Sequence, residues 1–193
     1  MATHADVEHS EVVREMIPSL ANLAHGIGDA QVRNRGTLGG AIAHADPAAD
    51  YPAAIAGYRT QIKTHRRTIA GDDFFTGLFE TALESGELIT AVDFSPPKVA
   101  AYAKFANPAS KYAIVGVLVA QYSDEVRVGV TGAKATAFRW SALEQLLSSS
   151  LSAEGVDSAE MVDGDFMADL DADEDYRRAL LRVMAKRAIR SLG

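Results

Sequence analysis

Cysteine is absent from the 193 residues. That excludes disulfides, thiolate nucleophiles and iron–sulfur ligation by this chain. Long apolar runs are missing too, and nothing approaches the roughly 20 consecutive apolar residues of a membrane span. The opening MATHADVEHSEVV has neither a basic n-region nor an apolar h-region, so it does not read as a signal peptide, and a cytoplasmic location is the default expectation. Positive charge is scarce: 19 Lys and Arg stand against 26 Asp and Glu, a net charge of −7. That balance argues against nucleic acid as a partner. The deficit is sharpest from Ser141 to Asp175, where acidic residues abound and no Lys or Arg occurs. No EF-hand spacing is present there, so the stretch reads as a solvated face and not as a calcium site.

About half of the chain is apolar, which indicates a globular protein with a core of its own. Residues 10–25 read as one or two helices. Ser10 is positioned to cap, Pro18 to break or restart the helix, and Gly26 and Gly28 to end it. Residues 31–50 read as irregular, Gly-rich backbone, and 50–57 as a helical turn or two with Asp50 as cap. Strands are expected at 61–64 and 68–70, joined by His65-Arg66-Arg67, and again at 88–94. GDDFFTG, 71–77, reads as a short capped helix. Pro96-Pro97 marks the expected domain boundary, dividing residues 1–97 from 98–193. After it, 101–105, 112–122 and 126–132 read as an antiparallel meander. Helices are expected at 139–147, 158–170 and 176–192, the last with an apolar stripe of Ala179, Leu180, Val183, Met184 and Ala188.

One passage carries unusual chemistry: QVRNRGTLGGAIAHADPAADYP, residues 31–52. A Gly-Gly pair lets backbone N–H groups approach a ligand without Cβ interference. Consecutive amides form an anion site, the Thr37 hydroxyl adds a donor, and Asp50 can accept from a sugar hydroxyl. The pattern is neither G-x-G-x-x-G nor a P-loop, and a plain turn is the alternative reading. His44 with Asp46 lacks the further ligands of a metal site, so a hydrogen-bonded loop histidine is the simpler account. Arg33 and Arg35 read either as solvated charges or as anion binders. No Ser-His-Asp arrangement is present, and no catalytic or metal-binding residue is nominated.

The words themselves are more specific than their spacing. VRNRGTLGGAIAHADPAADYPAA resembles the second flavin-binding segment of the medium, FAD-binding subunit of molybdenum hydroxylases, the carbon monoxide dehydrogenase and xanthine dehydrogenase family. PSLANLAHGIGDAQVRN, GELITAVDFSPP, YAKFANPASKYAIVGVLVA and YRRALLRVMAKRAIRSL resemble further family segments in the expected order, so the resemblance spans essentially the whole chain. It departs from the family in two ways. No A-G-G-x-S/T-x-L flavin loop is present, so the first flavin-binding lobe is expected to be missing. Ala41 also stands where many relatives have Asn.

The resemblance implies an α+β fold: the second lobe of a PCMH-type FAD-binding domain over 1–97, then a C-terminal domain over 98–193 with a small antiparallel sheet and packed helices. FAD is the implied cofactor. By position, Thr37, Leu38, Gly39 and Gly40 lie against its phosphates or ribityl chain, and Asp50 accepts from a flavin hydroxyl. Ile27 packs near the cofactor, Leu88 or Ile89 offers backbone and apolar contacts to the ring system, and Lys104 lies near the ring's polar edge or its solvent-facing approach. The implied partners are a large subunit with the molybdenum cofactor and a small iron–sulfur subunit, in a hetero-oligomer. The chain would then be an oxidoreductase subunit that moves electrons to NAD⁺, a quinone or oxygen and is inactive alone. A flavin-free structural or assembly remnant is the alternative.

Overall fold

Short polar side chains set the helical first third of the molecule. The computed structural model of the chain describes residues 1–192. Thr3 and Asp6 form a reciprocal capping box on α1 (His4–His9). Ser10 caps α2 (Glu11–Met16), and Pro18 occupies the first turn of α3 (Pro18–His25), which closes at Gly26. Where irregular backbone was expected, two further helices form: α4 (Ala30–Arg35), capped by Asp29, and α5 (Leu38–His44), capped by Thr37. Next comes α6 (Tyr51–Gly57), buried on every side; Asp50 precedes it without making a side-chain cap.

Three short antiparallel units follow. Strand β1 (Thr60–Thr64) pairs with β2 (Thr68–Ala70) across the His65-Arg66-Arg67 turn, and on its other edge with β5 (Ile89–Phe94). The expected helix at 71–77 is a single 3-10 turn, Gly71–Asp73, leading into β3 (Phe75–Gly77), which pairs with β4 (Glu80–Thr81). The meander then runs β6 (Val99–Ala106), β7 (Ala113–Gln121), β8 (Val126–Thr131) and β9 (Phe138–Arg139), neighbours in sequence order throughout. α7 (Ser141–Ser149) and α8 (Glu174–Arg190) complete the fold.

Strand alternation puts the meander between two cores. Val115, Val117 and Val119 of β7, with Val126, Val128 and Val130 of β8, face Leu181, Met184, Ala185 and Ala188 of α8 and Trp140 and Leu143 beside them. Leu118 and Ala120 face the opposite way and join Leu23, Ile42, Tyr51, Ile55, Tyr58 and Ile62 from the first half. On that face of β8, Gly129 lets α6 approach closely, because a Cβ there would collide with Ala53 O and Gly57 N. Arg127 and Thr131 flank it and satisfy backbone carbonyls: Arg127 donates to Ala56 O at 3.0 Å, and Thr131 Oγ1 to Pro47 O at 2.8 Å. Residues before Pro96-Pro97 therefore pack directly on one face of the sheet formed by those after it.

Residues 158–170 do not form the expected helix. Gly164 adopts φ 91°, and the chain is held by tertiary contacts. Phe166 is buried with the Arg178 guanidinium 4.0 Å over its ring, and Met167 N donates to Ala133 O at 2.9 Å.

Candidate functional site

The glycine passage is built from the cap upward. Thr37 is extended (φ −122°, ψ 152°), and its Oγ1 accepts from Gly40 N at 3.0 Å, which starts α5 at Leu38. Leu38 N donates to Ala2 O at 3.0 Å. Among the described residues, the Gly39 amide has no partner. A Cβ on Gly39 would meet only Ile89 Cγ2, at 4.0 Å, so the missing side chain leaves space open. That space is a cleft of about 480 Å³ between the first turn of α5 and the start of β5. Thr37, Leu38, Gly39 and Gly40 form one wall, and Leu88, Ile89 and the strand after them the other.

The second wall is held by a dense polar network. Glu87 is buried, and its carboxylate accepts from Thr64 Oγ1 at 2.7 Å, from Arg67 Nε and Nη2 at 3.1 Å each, and from Glu84 N at 2.8 Å. The Arg67 guanidinium is the chief reason that its carboxyl falls to about 2. Leu88, next in the chain, is 68% exposed.

Ile27, Asp50 and Lys104 lie elsewhere. On the other side of α5, beneath Ala41, is a second cavity of about 170 Å³ lined by Ile27, Asp50, His4, Tyr51 and Tyr112 among others. The Asp50 carboxylate is already engaged: Tyr102 Oη donates to it at 2.7 Å and Lys104 Nζ at 2.9 Å. Lys104 Nζ also donates to Gly26 O at 2.9 Å and Lys111 O at 2.8 Å. Burial pushes the Asp50 carboxyl up, and the Lys104 ammonium and Tyr102 hydroxyl pull it back. Two buried polar atoms in this cavity have no partner, His4 Nδ1 and Tyr51 Oη, and their rings lie 5.3 Å apart. Burial lowers the His4 imidazole, which favours its neutral form.

The structure thus gathers six of the nine expected cofactor residues around the larger cleft and sets the other three behind it, on the far side of α5. Tyr102, His4, Tyr51, His65 and Glu87 were not anticipated. Only the alternation of Tyr102 and Lys104 on one strand face hinted at any of them. His44 is exposed, its ring 5.2 Å from Phe79, and no group able to hold a metal ion occurs among the described residues. Arg33 is paired with Glu8 at 2.8 Å and donates to Ile27 O at 3.2 Å, so it is a structural cation.

Comparison with known proteins gives this geometry a context. Residues 1–97 match the family described as the FAD binding domain in molybdopterin dehydrogenase. The chain is 31% identical over 207 residues to the nicotine 6-hydroxylase medium subunit of Paenarthrobacter nicotinovorans, a match covering 100% of this chain and 73% of that protein. It is 32% identical over 207 residues to the carbon monoxide dehydrogenase medium chain of Hydrogenophaga pseudoflava, covering 98% and 71%. The solved structure of reconstituted CO dehydrogenase from Oligotropha carboxidovorans superposes with a TM-score of 0.88 at 25% identity, covering 98% of this chain and 72% of that one.

Proposed function

This chain belongs to the FAD-binding domain family of molybdopterin dehydrogenases, and from that membership we propose that it is the electron-transfer component of a molybdenum hydroxylase, moving electrons from iron–sulfur clusters on a partner to an external acceptor. It is of the medium-subunit kind, and FAD is the cofactor of its family. The observation that carries the proposal is the glycine-floored cleft: an unpartnered amide at Gly39, open space where its side chain would stand, and an apolar wall at Leu88 and Ile89 opposite.

FAD, when bound, supplies the redox chemistry, and the protein orients and tunes it. Thr37 fixes the first turn of α5, and the Gly39 amide, without a partner among the described residues and lining the cleft, would be available to the anionic diphosphate. Leu38 and Gly40 keep that turn rigid through their own bonds to Ala2 O and Thr37 Oγ1. Leu88 and Ile89 exclude water from one face of the ring system. Ile27, in the second cavity behind α5, would act on the cofactor only through the packing of that helix. Asp50 and Lys104 act through the backbone they fix, since Tyr102 and Lys104 already take the Asp50 oxygens. With no cysteine to ligate a cluster, the chain works with a small iron–sulfur subunit and a large molybdenum subunit and does not turn over alone. No helix among the described residues is long and apolar enough to cross a membrane.

The test is to purify the protein in the assembly in which it is produced. Flavin absorbance bands, FAD on extraction, and thermal stabilisation by added FAD but not by ATP or NAD are the expected results. An assembly that stays colourless in excess FAD sinks the proposal and favours a flavin-free structural role.

A further inference from the structure

The β1–β5 ladder runs from the Thr60–Phe94 pair to the Thr64–Ile89 pair and slips register between Lys63 and Thr64. Beyond the slip, a reciprocal pair of hydrogen bonds takes over. His65 N donates to Leu88 O at 3.1 Å, and Leu88 N donates to the ring nitrogen His65 Nδ1, also at 3.1 Å. An imidazole has taken the place of the next ladder carbonyl. The other ring nitrogen, Nε2, lies 3.2 Å from Arg66 Nε, which is also a donor. A neutral imidazole has one lone-pair nitrogen, so it accepts only one of the two. The Leu88 amide is aimed by the chain, whereas the Arg66 side chain is 44% exposed and has Glu84 as a second partner. These facts assign the lone pair to Nδ1.

Both backbone polar groups of Leu88 are therefore fixed, and Glu87 before it is anchored by four accepted hydrogen bonds. An exposed leucine gains little stability from being held so firmly. Its side chain stands on the cleft wall opposite Gly39 and Gly40. We propose that His65 is a positioning residue for the cleft: its Nδ1 lone pair holds the Leu88 amide so that Leu88 forms a fixed apolar lip against which the planar ring of a bound flavin packs. This rests on the flavin reading above.

The experiment titrates FAD into the flavin-depleted assembly by fluorescence quenching, for wild type, H65A, H65N, H65Q, L88A and H65A/L88A, with melting temperatures as a check on folding. Asparagine places Oδ1 where Nδ1 stands; glutamine does not. H65A is expected to weaken FAD binding about three- to tenfold, the worth of one net hydrogen bond. H65N restores it to within about twofold of wild type, H65Q behaves as H65A, and H65A has no further effect in the L88A background. H65A binding as wild type does, H65N as weak as H65A, or an undiminished H65A effect beside L88A would each overturn the inference alone. A wild-type assembly that takes up no FAD overturns the flavin reading and this inference together.

Discussion

Lys104 Nζ lies 2.9 Å from the Asp50 carboxylate across 54 residues of sequence, with both side chains almost wholly shielded from water. The ammonium has three acceptors from three segments: Gly26 O after α3, Asp50 before α6, and Lys111 O in the β6–β7 loop. It ties together the backbone behind α5.

Removing either charge leaves the other buried and unpaired. K104M and D50N are each expected to destabilise the protein by about 3–5 kcal/mol, and the double variant by clearly less than their sum. Urea unfolding measures all three. Simple additivity would show that the pair is not coupled.

Gly39→Ala separates stability from binding. The new Cβ meets nothing nearer than Ile89 Cγ2 at 4.0 Å, and alanine is the better helix former by roughly 0.5–1 kcal/mol. The melting temperature should hold or rise. FAD affinity should fall roughly tenfold, about 1.4 kcal/mol, as the Cβ enters the cleft. Unchanged affinity would remove Gly39 from the site.

Glu87 makes a pH prediction with a definite sign. Its folded carboxyl titrates near 2, below the ordinary 4.5. The stability it contributes is complete above about 4.5 and is lost as the pH falls toward 2. Melting curves of wild type and E87Q should differ most at neutral pH and converge through that window. Parallel curves would mean that Arg67 does not depress it.

Gly129 and Gly155 form a matched pair. Alanine at 129 would drive a methyl into the backbone of α6 at Ala53 and Gly57, whereas alanine at 155 meets nothing within 4 Å. G129A should cost about 1–3 kcal/mol, the range for overpacking, and G155A almost nothing. Chemical denaturation of the two variants checks the contrast.

Elements announced by punctuation were legible in advance: Ser10, Pro18 and Gly26 bracket α2 and α3, and Pro96-Pro97 precedes the meander. α5 was not, because two glycines argue against a helix. Thr37 outweighs them by capping the Gly40 amide, and Asp29 does the same for α4 at Val32. At 158–170 the local pattern suggested a helix, but Gly164 turns the chain and Phe166 is drawn into the core. Of the candidate site, the residues adjacent in sequence came out together. The Asp50–Lys104–Tyr102 cluster and the His65–Leu88 clasp join distant segments, and no local rule encodes such pairings.

Among the described residues both faces of the meander are covered: one side belongs to α8 and the other to residues from before the proline pair. Cleaving the chain between Pro97 and Lys98 would strip each piece of half its lining, so separately expressed pieces should each clump on their own yet recombine into a folded heterodimer when produced side by side. A split of this kind would serve as a genetic reporter, its signal rising only when both halves meet.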